Sequence, residues 1–493
     1  MKNKNLGALL KCLSLILAAA IPFVAVFCAV VCVGGTYQKT FLGELAPKVE
    51  RLDSIEEPKV VVVGGSSVAF GLNTPLLEEM TGMPVVNFGL YATLGTKLML
   101  DLSRHAIGEG DVVVLAPELD EQTLSLYFNA EATWQGADSN MKLLRYVAKD
   151  NYTDMIGGAA DYLAAKLNYR SHTAPDPDGI YNRASFDEYG DIQTMRPYNV
   201  MPFWYDITMP LTFDPAMYSE EFLDYLNEYI EFCTKKGARV CYSFPPMNGA
   251  AVASGTTEET YDTLYAFLCE HLDCEVIGSP ESYVMDSRFF YDSNFHPNTA
   301  GATNHTATLG TDLRRFLGKT EVYSVVLLEP QERPEDFGRT DPTDEPTGES
   351  DAWSALYTYT ERLGPSGELL GYTVSGLTDT AKTMTSMEIP RVYNGKAVVE
   401  IAEKAFAESK ALRSLTIRDN IVGIATGAFA DCPTLSELSI FSEDASRMIV
   451  DQTELFTGAN PNITILLHTE SSYESFVTGY FWANYGSMMK LVK

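Results

Sequence analysis

From residue 58 to about residue 317 the chain alternates short, wholly apolar runs with longer amphipathic ones. KVVVVGG (59–65), PVVNFG (84–89), DVVVLAPE (111–118), ARVCYSFPP (238–246) and CEVIG (274–278) are bounded by Gly, Pro or polar residues. Runs of this kind predict strands buried on both faces. Residues 93–107, 219–236, 256–271 and 299–316 have helical spacing, and Thr74 with Pro75 marks the start of another helix. Repeated βα units predict a parallel sheet flanked by helices, with ligands held outside the carboxyl ends of the strands. Ser67, Gly89, Glu118 and Asn248 fall at such ends. Residues 127–213 break the alternation with a helical stretch near 141–168 and a Pro/Asp/Gly-rich stretch. Such an insertion is placed to form a lid. Its Trp134, Tyr181, Trp204 and Tyr205 either stack on sugar rings or fill a core.

Two other patterns flank this unit. No charged residue occurs between Lys11 and Lys39, and the apolar run 12–33 is long enough for a bilayer core, with Lys2, Lys4 and Lys11 before it. It predicts a transmembrane helix with a cytoplasmic N-terminus and the bulk of the chain outside the cell. The alternative is a cleaved signal peptide. Downstream, EPQERPEDFGRTDPTDEPTGESDA (329–352) is too polar to build a core and reads as a linker. Beyond it an internal repeat appears, with Val399/Val422, Ile401/Ile424, Ala405/Ala428, Phe406/Phe429, Leu412/Leu435, Leu415/Leu438 and Ile417/Ile440 each 23 residues apart. One shared register over seven apolar positions predicts a small solenoid, with atypical flanking repeats at 385–398 and 462–476. The expected organisation is therefore 1–38 tail and anchor, 39–325 catalytic unit, 326–352 linker and 353–493 repeat module.

Composition narrows the function classes. The 493 residues carry a net charge of −30, which excludes a phosphate-tracking nucleic-acid surface. The eight cysteines have no metal-ligand spacing and no CxxC pair. Neither a metal nor an organic cofactor is implied.

The chemistry lies in two segments about 225 residues apart. VVVVGGSSVAFGLN (60–73) sets a serine where a buried strand turns into a helix, and FFYDSNFHPNTAGA (289–302) supplies Asp292 and His296. A serine at a strand end with a distant Asp and His is the footprint of a serine acyl-transfer site.

GSSVAFG (65–71), NFGLYATLG (87–95) and DSNFHPNTAG (292–301) resemble the first, second and last blocks of the SGNH/GDSL hydrolase superfamily. The resemblance covers residues 58–318 and implies a flavodoxin-like α/β fold. It implies Ser67 as nucleophile, His296 as general base, Asp292 as its orienting acid, and the N–H groups of Gly89 and Ser67 as the oxyanion hole. The expected anchor makes the chain similar to extracytoplasmic acyl-transfer members, such as the D-alanyl transfer protein of teichoic-acid operons. The repeats resemble the BspA-like leucine-rich class.

Three positions depart from the family pattern. Ser66 stands where Asp is usual, Asp292 precedes His296 by four residues rather than three, and Glu118 occupies the usual place of an oxyanion-donating Asn. Glu118 and Asn248 are assigned to substrate contact. The expected activity is esterase or O-acyltransferase action on small acyl groups of a cell-surface glycan, with the repeats binding a protein or glycan ligand. The alternative is a surface adhesin with a catalytically idle scaffold.

Overall fold

The structure is a computed structural model. It describes residues 35–492, apart from 139, 172–178, 202–203, 207–208, 254, 334–349, 364–368, 408, 451–454 and 479, together with a few isolated positions before residue 35.

The first unit is built on five parallel strands: β1 (Val60–Gly64), β2 (Val85–Gly89), β3 (Val112–Ala116), β4 (Arg239–Tyr242) and, after the short β5 (Met247–Asn248), β6 (Glu275–Val276). Their order is β2-β1-β3-β4-β6. Val60 to Val63 are at most 1 % exposed because helices cover both faces of the central strand. Burying each such side chain contributes roughly 1.5–3 kcal/mol. The register pairs Gly64 with Gly89 on one side and with Ala116 on the other, so three strands end at one level. The strand β7 (Val284–Met285) pairs with β5 outside this sheet. Asn73 caps the helix Thr74–Thr81 one residue earlier than its sequence suggests, accepting from Leu76 N at 3.2 Å. Helices Glu220–Lys235, Glu258–His271 and Thr299–Phe316 complete the layers.

The insertion is tied to this frame by buried polar contacts. Asp191 accepts hydrogen bonds from Thr74 N (2.6 Å), Thr74 Oγ1 (2.7 Å) and Asn87 Nδ2 (2.8 Å). The Lys48 ammonium donates to Gly190 O at 2.6 Å, and burial pulls it down to about 8. Trp134 packs against Tyr162 between helices Ala130–Gly136 and Tyr152–Ser171, as a core residue.

A second core begins after the linker region. Strands β8 (Tyr357–Leu363), β9 (Leu369–Leu377), β10 (Ser386–Glu388), β11 (Val392–Tyr393), β12 (Lys396–Ile401), β13 (Ser414–Arg418), β14 (Gly423–Ile424), β15 (Glu437–Phe441), β16 (Ile449–Val450), β17 (Thr464–Leu467) and β18 (Met489–Leu491) form two sheets. Their orders are β10-β13-β15-β17-β18 and β16-β14-β12-β9-β8. Phe406, Phe429, Leu415, Leu438, Ile417 and Ile440 all lie in the core between them.

These observations correct the expected fold class. The chain is an assembly of mixed α/β sheets, and a solenoid is not shown. The 23-residue spacing holds for one neighbour step in each sheet, Ile401 beside Ile424 and Ile417 beside Ile440. The next steps are longer, since Ser386 pairs with Ser414, Gly423 with Ile449 and Glu437 with Thr464. β8 and β9, like β11 and β12, pair antiparallel. The transmembrane helix and the single-pass membrane placement are corrected as well. Among the described residues no helix is long and apolar enough to cross a membrane, and most of residues 12–33 lie outside them.

Candidate active site

β1 runs out at Gly64, and a six-residue helix, Ser66–Gly71, starts two residues later. The absence of side chains lets this turn pack tightly. A Cβ on Gly64 would lie 2.4 Å from Ala116 O, and one on Gly89 would lie 2.4 Å from Val68 Cβ and 2.6 Å from Gly65 O. Successive residues of a helix are rotated by about 100°, so Ser66 and Ser67 face different surroundings. Ser66 Oγ lies 2.8 Å from His296 Nε2. The Ser67 hydroxyl is buried and has no hydrogen-bond partner among the described residues. The imidazole therefore meets Ser66, not Ser67.

Asp292 reaches the same ring in spite of the extra residue. His296 N donates to Ser293 O at 3.3 Å and Tyr291 N to His296 O at 2.8 Å, closing a tight turn. That turn brings Asp292 Oδ1 to 2.8 Å from His296 Nδ1. With Nδ1–H donating to the carboxylate, Nε2 keeps its lone pair towards Ser66. The ring is stacked on Phe70 at 4.0 Å and 7°, which fixes its plane.

Three residues absent from the expected constellation support it. Tyr181 OH donates to Asp292 Oδ2 at 2.8 Å and lies 3.3 Å from His296 Nδ1. Arg196 bonds Phe70 O, Ile192 O and Pro297 O, tying the nucleophile helix, the insertion and the histidine loop together. Burial pulls its guanidinium down to about 10, against the attraction of Asp292. His305 holds Gly71 O at 2.7 Å from beneath, and burial pulls it down to about 4. No local pattern marks these partners, because each is more than 100 residues from at least one group it touches.

Glu118 is 3 % exposed, and its Oε1 accepts from Ser67 N at 2.6 Å and from Ser66 Oγ at 3.0 Å. Gly65 makes this approach possible, since a Cβ there would be 2.9 Å from the same oxygen. Two residues on, burial and then the Glu118 charge push Asp120 up to about 6. Gly89 N donates to Asn87 Oδ1 at 3.3 Å. Asn248 is placed differently from its assigned role. Its Nδ2 donates to Trp204 O at 2.7 Å and its Oδ1 accepts from Ala250 N at 3.0 Å, so the amide braces a loop. Of the aromatic residues suggested for sugar stacking, Trp204 lies beneath Arg333 and Tyr205 beneath Arg362. Phe41, Phe70, Phe186 and Tyr181 form a wall beside the imidazole, leaving Ser66 4 % and His296 6 % exposed.

No family model matches the chain, and no curated protein matches it. Among solved structures it is similar in part to a leucine-rich repeat protein from Bacteroides capillosus. That likeness has 21 % identity, covers 27 % of this chain and 94 % of the other, and has a TM-score of 0.19. At that score it carries no argument, and none of the comparisons supports the SGNH/GDSL resemblance.

Proposed function

We propose that the first unit is a serine carboxyl-ester hydrolase or O-acyltransferase working through Ser66. The observation that carries this reading is the unbroken chain Ser66 Oγ–His296–Asp292, with both contacts at 2.8 Å. Such a chain is what a general base needs in order to take a hydroxyl proton and be held while it does so. Ser66 Oγ attacks the acyl carbonyl carbon while its proton passes to His296 Nε2. The carbonyl electrons move onto oxygen and then re-form the double bond, expelling the alkoxide, which takes the proton from His296. Water or an acceptor hydroxyl then repeats the sequence on the acyl-serine, and the acyl group leaves as acid or as a new ester. The closed aromatic wall suits a small acyl group. The SGNH-like blocks point to the same reaction class, although they select Ser67 rather than Ser66, and an acylated glycan remains the proposed substrate class. The proposed role of the second unit, by its leucine-rich pattern, is to bind a protein or glycan.

A second reading is favoured by one contact. A carboxylate on the Ser67 N–H is also what an idle scaffold, kept for binding alone, would tolerate. A fluorophosphonate probe separates the two, because it reacts only with an activated serine. Peptide mapping should place the adduct on Ser66. Ser66→Ala should abolish labelling, and Ser67→Ala should retain it, since that change leaves the backbone N–H in place. Labelling that survives Ser66→Ala, or a label on Ser67, would refute the Ser66 assignment, and no label on either the wild type or Glu118→Gln would favour the idle scaffold.

A further inference from the structure

We infer that Glu118 is a built-in latch that occupies the oxyanion position and holds the resting site at low activity. The inference rests on the acyl-ester reading above and adds a control element to it. An acyl-transfer transition state places a negative oxygen beside the nucleophile, where it must receive N–H donors. At this site a negative oxygen is already in that place. Glu118 Oε1 accepts the single hydrogen of Ser67 N at 2.6 Å and lies 3.0 Å from Ser66 Oγ. The carboxylate is buried, and Ser67 N and Ser66 Oγ are its hydrogen-bond partners among the described residues. Gly65 leaves open the space it enters, which a Cβ would narrow to 2.9 Å.

Two consequences follow for the reaction. The Ser67 N–H is unavailable to a developing oxyanion until Glu118 withdraws, and the two negative oxygens repel each other while it stays. The Ser66 hydroxyl has one proton and two acceptors, Glu118 Oε1 and His296 Nε2. When that proton points at Glu118, the imidazole cannot remove it. Both effects act on the same step and in the same direction.

The test is hydrolysis of p-nitrophenyl acetate by the full chain as wild type, Glu118→Gln, Ser66→Ala and the double variant. Glutamine keeps the shape, removes the charge, and can turn an N–H towards the oxyanion. One oxyanion donor is worth on the order of 10²–10³ in rate, so kcat should rise by about 10²-fold in Glu118→Gln. The gain should vanish when Ser66→Ala is added. If glutamine compromises folding, Glu118→Asp retracts the same charge by one methylene and should raise kcat by a smaller factor. An active wild type with a Ser66-dependent rate that Glu118→Gln leaves equal or lower would overturn the latch and leave the esterase reading standing. A gain that persists in the double variant would also overturn it. Rates of wild type and Glu118→Gln both equal to Ser66→Ala would overturn the acyl-ester reading, and the latch with it.

Discussion

Ser66 and Ser67 differ by one position and by everything that matters for chemistry. Counting back from Gly71 selects Ser67, whereas the helix start at Ser66 turns Ser67 into the core and gives Ser66 the imidazole. The Asp/His pair could be read from sequence because it is local. Tyr181 could not, since it reaches Asp292 across 111 positions. These partners have graded expected effects. Asp292→Asn removes the carboxylate charge and offers Nδ1 an amide N–H that holds the imidazole in the wrong tautomer, and should lower kcat by on the order of 10²–10⁴. Tyr181→Phe keeps the ring against Phe41 and Phe70 and removes one hydrogen bond to a charged group, worth about 1.5–3 kcal/mol. It should therefore lower kcat on the order of 10- to 100-fold, with little change in KM. Steady-state kinetics on p-nitrophenyl acetate, at a temperature where melting curves show each variant still folded, checks both. A Tyr181→Phe enzyme at full rate would show that the phenol only fills space.

At the level of elements, the apolar runs located β1, β2, β3 and β4 to within a few residues, because strands buried on both faces are nearly all apolar, with Asn87 in β2 and Arg239 at the start of β4 as the exceptions. The repeat was legible only where its spacing is regular. Insertions of a few residues between β10 and β13, and between β15 and β17, are invisible to a fixed-period comparison. One element also carries a pH-dependence. The helix Ser66–Gly71 rests on His305 through Gly71 O, and His305 sits at about 4 against an ordinary 6.5 because burial disfavours its charge. Above pH 6.5 it is neutral in both folded and unfolded chains. Between 6.5 and 4 the unfolded chain binds the extra proton, so stability falls as the pH falls, by about 3 kcal/mol over the window. Below 4 both states are protonated and the loss is complete. The melting transition of the first unit should drop across this range in the wild type. The drop should be shallower in His305→Gln, which cannot titrate; equal slopes would remove His305 as the cause.

For the molecule as a whole, the two cores collect residues 37–316 and 357–489 respectively, and residues 334–349 lie outside the described residues. The segment before the gap is held to the first core by Arg333, which donates to Asn199 O (2.8 Å) and Met201 O (2.7 Å) and covers Trp204. The segment after the gap joins the second core, with Asp351 accepting from Arg391 N at 2.8 Å. Across the gap, among the described residues, half-buried Arg362 donates to Tyr205 OH at 2.5 Å and lies over its ring at 4.6 Å. A hydrogen bond of that kind contributes about 1–3 kcal/mol, far less than either core. Each unit should then be able to stand without the other. Limited proteolysis of the full chain should cut first within 334–349, where the sequence is rich in Pro, Gly and acids. It should leave two resistant fragments that separate on a sizing column, with all Ser66-dependent ester hydrolysis in the N-terminal one. If the N-terminal fragment instead loses activity or precipitates once the chain is cut, the Arg362–Tyr205 contact marks a shared interface that the catalytic unit needs, and the two cores do not act as separate modules.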